Sequence, residues 1–130
     1  MSDPVSKTEA AARDVDRFIF ENTIKPTVTP ATIAEHKANP CGRGQSPELK
    51  ILLGYLRRNP VKSKPRYLLV EIEPFREWSL ALHSRRRGDP PTLTNERFTS
   101  LAAAQHAVFL KRLLDLGDPG VARAVEQNED

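Results

Sequence analysis

Cysteine, aromatic side chains and long apolar runs are all scarce in this chain. Its single cysteine, Cys41, excludes an intrachain disulfide and fits a reducing, cytoplasmic compartment. No run of about 18 apolar residues is available to span a membrane. The opening stretch, MSDPVSKTEAAARDVD, contains no apolar signal core. Eight aromatics and an apolar fraction of 38% in 130 residues leave a thin core. A chain of this length still buries somewhat more than ~60% of its unfolded surface, so one domain spanning 1–130 can fold without metal or disulfide. Apolar faces left over from a thin core are what a subunit of a larger assembly presents.

Proline is plentiful, with eleven residues, which predicts short elements joined by stiff loops. The net charge of +3 is unevenly spread: residues 41–97 hold twelve basic against six acidic groups. Such a surface is either simply solvated or meets an anionic partner, protein or nucleic acid.

The stretch Glu96–Leu116, ERFTSLAAAQHAVFLKRLLDL, reads as the longest apolar helix. Thr99 is its predicted cap, and Gly117 and Pro119 stand where the chain must leave it. Leu101, Ala104 and Val108 form one row and Phe109, Leu113 and Leu116 a second, so the helix should touch more than one neighbour. Earlier in the chain, Ser6–Glu9 has capping-box spacing and predicts a helix from Thr8 to Asn22. Ile24–Thr29 then reads as a rigid linker. Thr29-Pro30 and Ser46-Pro47 each place a capping hydroxyl before a proline, predicting helices to Ala38 and to just before Pro60. Arg66–Glu73, RYLLVEIE, alternates as a strand should. Pro74 is expected to open a helix in which Phe75, Trp78 and Leu82 share a face, ended by Arg85-Arg86-Arg87-Gly88. Thr92–Phe98 is expected as a second short strand paired with the first. The result is an α+β fold, a mostly helical small domain with one or two short strands. Residues 1–7 and 118–130 are expected to be flexible termini.

For chemistry, the sequence offers little. No Gly-x-Ser-x-Gly turn is present for a nucleophilic serine. Gly42-Arg43-Gly44-Gln45-Ser46 faintly resembles a phosphate loop, but Pro47 replaces the third glycine of a dinucleotide fingerprint. Metal binding needs paired ligands, whereas His36 and Cys41 lie five apart across a proline and His83 and His106 stand alone. His106 reads as a hydrogen-bonded core or interface histidine, and Cys41 as either inert or a lowered-pKa thiolate beside His36 and Arg43. No catalytic, cofactor or metal residue is assigned. Arg57, Arg58, Lys62, Lys64 and Arg66, with Arg85–Arg87, could neutralise phosphates, though only Tyr55 and Tyr67 interleave with them.

Several motifs in order carry a resemblance. They are Glu35-His36 with Ala38-Asn39-Pro40 and Gly42, Ser46-Pro47 and Leu49, and Tyr55, Arg57 and Pro60. Tyr67, Arg76-Glu77-Trp78, Glu96-Arg97-Phe98 and His106-Ala107-Val108-Phe109-Leu110 with Arg112 follow. Over residues 33–116 the chain resembles the small (alpha) subunit of N,N-dimethylformamidase, the enzyme that hydrolyses dimethylformamide to formate and dimethylamine. The N-terminal helix up to Thr29 and the tail from Asp118 lie outside that likeness, and Cys41 stands where a hydrophobic or aromatic residue is expected. The resemblance implies a hetero-oligomer in which the large subunit carries the chemistry, on an iron held by two tyrosines and a glutamate. That iron would polarise the amide carbonyl and activate water.

The sequence is therefore read as a cytoplasmic, non-catalytic small subunit bound to a large iron-containing chain. Tyr55, Tyr67, Phe75, Trp78, Arg97 and Phe109 are the expected interface, because aromatic and arginine residues are enriched at interface centres. The alternative is a small basic nucleic-acid-binding protein.

Overall fold

The computed structural model describes residues 4–40 and 42–127, the side chains of 4–10 and 12 excepted. The described residues form five α-helices and a three-stranded antiparallel sheet: α1 Pro4–Ile19, α2 Pro30–Ala38, α3 Pro47–Arg58, β1 Arg66–Glu73, β2 Glu77–His83, β3 Thr92–Phe98, α4 Leu101–Asp115 and α5 Pro119–Glu126. The mostly helical α+β class read from the sequence holds, with one strand more than expected.

Local chemistry sets most of the boundaries. Thr29 and Ser46 cap α2 and α3, each accepting a backbone N–H three residues on, with proline as the first helical residue. α4 begins later than Glu96, because Glu96–Phe98 belong to β3, and Ser100 rather than Thr99 supplies its cap by accepting from the Ala103 N–H. Gly117 takes φ 73, a conformation that costs glycine nothing, and turns the chain into α5. Asp118 caps that helix at the Val121 N–H, 3.0 Å away. Val121, Ala124 and Val125 are buried, so residues 119–126 are a packed helix and not the polar tail expected. Residues 1–3 and 128–130 of the expected flexible termini lie outside the described residues, as does Cys41.

The N-terminal helix starts at Pro4, ahead of the predicted Thr8, and the Ser6–Glu9 capping-box side chains fall outside those described. Helical structure continues past Asn22, as a π turn over Phe20–Ile24 and a 3₁₀ turn over Lys25–Thr27. Pro26 has no N–H to extend a regular helix, and the changes of pitch accommodate it. The expected rigid linker is thus mostly wound.

The sheet holds the largest correction. Residues 77–83 form the central strand and not a helix, in order β1-β2-β3. Pro74 and Phe75 occupy a tight turn closed by the Arg76 N–H on the Glu73 carbonyl at 3.0 Å. β3 consequently pairs with β2, with Trp78 opposite Phe98 and Ser79 opposite Arg97, rather than with β1. Arg85–Gly88 lie in the β2–β3 loop and end no helix.

α4 contacts all three strands as well as α2 and α5, as its wide apolar face predicts. The main core gathers Ile24, Ile33, Leu49, Leu52, Phe109, Leu113, Val121 and Val125 between α2, α3, α4, α5 and the π turn. α1 differs from every other helix. Its described side chains are exposed up to Ile19, and its main contacts are with the turn that continues it.

Candidate functional site

Three helices, α2, α3 and α4, and strand β1 build a cleft. At i, i+3, i+4 and i+7, Gln105, Val108, Phe109 and Arg112 fall on one face of α4. Leu53, Leu56 and Arg57 do the same on α3, and Tyr67, Leu68 and Leu69 come from β1. These residues, with His36 and Pro40, line a cavity of ≈ 380 Å³. A neighbouring cavity of ≈ 290 Å³ shares Leu56, Arg57, Tyr67 and Arg112 with it and adds Lys64, Arg66, Arg85 and Asp115.

At the inner end, His36 and His106 face each other with their Nδ1 atoms 2.8 Å apart. One ring donates and the other accepts, which requires at least one to be neutral. The His36 ring also stacks on Phe109, with centroids 3.9 Å apart. Burial, then the neighbouring His106 charge, hold the His36 pKa down at about 4. Burial and the Lys37 charge lower that of His106. Both rings are therefore neutral near pH 7. Among the described residues no serine or carboxylate is hydrogen-bonded to the pair.

Toward the opening, Tyr67 donates a short hydrogen bond to Asp115. Burial and that bond push the phenol up to about 12, so it remains a donor. Arg112 lies beside them. Partial desolvation of its guanidinium within the cleft, followed by repulsion from Arg66, Arg85 and Arg57, lowers its pKa from the ordinary arginine value although the residue remains exposed. Among the described residues no three of His, Cys, Asp or Glu are grouped to hold a metal ion.

Beside the cleft, the loop joining α2 to α3 is tied by polar contacts. The Glu35 carboxylate accepts from the Ser46 hydroxyl at 2.6 Å and from the Ser46 N–H at 2.7 Å, which holds its pKa below the usual carboxylate range. Gln45 donates to the Asn39 carbonyl at 2.9 Å, and Asn39 donates to the Arg43 carbonyl at 3.1 Å. Gly42 passes so close to Asn39 that a Cβ would overlap the amide oxygen. The motif from Glu35 to Pro47 thus fixes how α2 presents His36 to α4.

The six expected interface residues do not form one patch. Phe109 is buried, 3% exposed, with its ring stacked on His36 at the wall of the larger cavity. Tyr55 is half-buried against Phe20, with centroids 5.9 Å apart. Tyr67 lines the cleft, and Trp78 is half-buried on β2. Arg97 is tied within the sheet, donating to Ser79 and to the Thr94 carbonyl and pairing with Glu77 at 3.4 Å. Phe75 is 87% exposed at the β1–β2 turn with φ 61. The pairing of His36 with His106 and the placing of Arg112 beside Tyr67 were not read from the sequence. The helical spacing of Gln105, Val108, Phe109 and Arg112 was the available signal.

Residues 10–123 match the family described as N,N-dimethylformamidase alpha subunit. That extent reaches further in both directions than residues 33–116, so the N-terminal helix and α5 belong to the likeness after all. A protein of Paracoccus aminophilus named N,N-dimethylformamidase alpha subunit is 38% identical over 91 residues, covering 67% of this chain and 61% of that relative. One of the same name from Alcaligenes sp is 37% identical over 91 residues, covering 67% of this chain and 65% of the relative. The match thus spans less than two thirds of either relative's length.

Proposed function

The chain belongs to the N,N-dimethylformamidase alpha-subunit family, and on that premise we propose that it is the small, non-catalytic subunit of a heteromeric amide hydrolase. The hydrolysis of dimethylformamide to formate and dimethylamine takes place on a large, iron-containing partner in the cytoplasm. The role of this chain is to cover apolar surface on that partner and fix its geometry. Among the described residues no helix is long and apolar enough to cross a membrane.

The observation that carries this reading is the uncovered face of α1. Val15, Phe18 and Ile19 stand at i, i+3 and i+4 and are exposed by 57%, 66% and 42%. A helix whose described apolar side chains are this exposed in its own chain gains burial from another. Fully burying such side chains is worth about 1.5–3 kcal/mol each. The test is assembly with the large dimethylformamidase subunit, followed by light scattering of the mixture. The native chain should form a heteromer, and Val15→Ser with Phe18→Ser should abolish it without lowering the melting temperature of the free chain. Assembly unaffected by the double variant overturns the role given to α1.

A second reading, nucleic-acid binding, is favoured by the arginines around the cleft. The two part on salt, since phosphate neutralisation weakens steeply with ionic strength and an apolar contact does not.

A further inference from the structure

We propose that the cleft between α3, β1 and α4 is a docking site for a segment of the large subunit that carries acidic side chains next to an apolar one. This rests on the subunit reading above and names the part of the partner that this site receives.

The outer lobe is strongly cationic. Arg57, Lys64, Arg66, Arg85 and Arg112 converge on it, and all five are exposed. None of them forms an ion pair among the described residues, although Lys25, Arg76, Arg97 and Lys111 all do. The one carboxylate in that lobe, Asp115, already accepts the Tyr67 hydroxyl. Four guanidinium groups beside one another repel, and a carboxylate entering among them relieves that repulsion while accepting charge-assisted hydrogen bonds.

The inner lobe has a different chemistry. Leu53, Leu68, Leu69 and Val108 give it apolar walls. On the same lining, Gln105 Oε1 is buried and has no hydrogen-bond partner among the described residues. It requires a donor. A carboxylate or a phosphodiester group has only acceptors at neutral pH, whereas a polypeptide brings a backbone N–H beside its side chains. The two lobes adjoin at a shared wall of Leu56, Arg57, Tyr67 and Arg112, so one extended segment lying across it can place a carboxylate in the outer lobe and an apolar side chain in the inner. A nucleic acid fits less well. Tyr67 is the one aromatic of the outer lobe, with its hydroxyl committed to Asp115, and no stacking platform is formed there.

The test uses the full chain and the large subunit, with Arg57→Glu and Arg112→Glu combined, and with both positions changed to Lys as the conservative control. The reversed variant should remain folded by thermal melt and bind the large subunit at least 100-fold more weakly than the native chain. The lysine control should stay within about tenfold, since the charges remain. A photo-crosslinking residue at Lys64 in the assembled complex should capture a large-subunit peptide containing Asp or Glu. If the native chain forms no heteromer, the subunit reading falls and this site with it. If the heteromer forms, and charge reversal leaves its affinity unchanged or the Lys64 crosslink maps to no acidic segment, the docking site alone is overturned. Retention of a single-stranded RNA 20-mer by the native chain, lost on reversal while assembly persists, overturns it in favour of nucleic acid.

Discussion

His36 on α2 and His106 on α4 meet nitrogen to nitrogen at 2.8 Å, although 70 positions separate them in the chain. Their hydrogen bond joins two helices at the inner end of a basic cleft, and it survives only while the pair carries no more than one proton on the facing nitrogens.

That geometry makes stability depend on pH. An unfolded histidine titrates near 6.5, whereas His36 in the fold is held at about 4. Between these values the unfolded chain binds more protons than the native one, so stability rises with pH across the window. The His36 contribution is complete above about pH 6.5 and is lost as pH falls toward 4, by about 3 kcal/mol at most for this group. The depressed pKa of His106 acts in the same sense. Urea unfolding at pH 7.0, 5.5 and 4.5 measures the slope, and His36→Leu should remove most of it. A flat profile in the native chain contradicts the neutral pair.

Phe75 combines a left-handed backbone with an almost fully exposed ring. A residue with a Cβ pays roughly 1–2 kcal/mol for this conformation. Relief of that strain exceeds the roughly 0.4–1 kcal/mol of backbone entropy that glycine adds to the unfolded chain, so Phe75→Gly should stabilise the free chain by up to about 1 kcal/mol, while weakening assembly by removing an aromatic anchor. Denaturation of the free chain and titration with the large subunit together check this. Destabilisation by glycine contradicts the strain, and unchanged assembly removes Phe75 from the interface.

Arg85, Arg86 and Arg87 sit in the β2–β3 loop, exposed. The described polar contact of their side chains is Arg85 Nε to the Lys64 carbonyl, 3.0 Å. Changing all three to Gln should alter stability by no more than about 1 kcal/mol. A loss of several kcal/mol in chemical denaturation contradicts their placement.

The parts of the fold legible in the sequence are those in which neighbours in the chain decide the structure. Thr29-Pro30 and Ser46-Pro47 announced α2 and α3, and alternation announced β1 over the bounds observed. β2 was misread because Phe75, Trp78 and Leu82 imitate a helical stripe, and Leu and Ala favour helices locally. Pairing on both sides with β1 and β3 overrides that preference. α5 carried the same signal as α2, a capping side chain before proline in Asp118-Pro119, which its polar surroundings obscured. The cleft had no local signature, because its lining comes from α2, α3, β1 and α4 and forms only when these pack. Phe109 looked like an interface residue by type, but its place beneath His36 is set by tertiary packing.

The central claim is that this chain supports catalysis carried out by another. The direct measurement is dimethylamine release from dimethylformamide by the purified chain, by the large subunit and by their mixture, each supplied with iron. The account predicts no turnover by this chain alone and turnover by the mixture that saturates at a fixed subunit ratio. Turnover by this chain alone, lost on replacing His106 or Cys41, would contradict it.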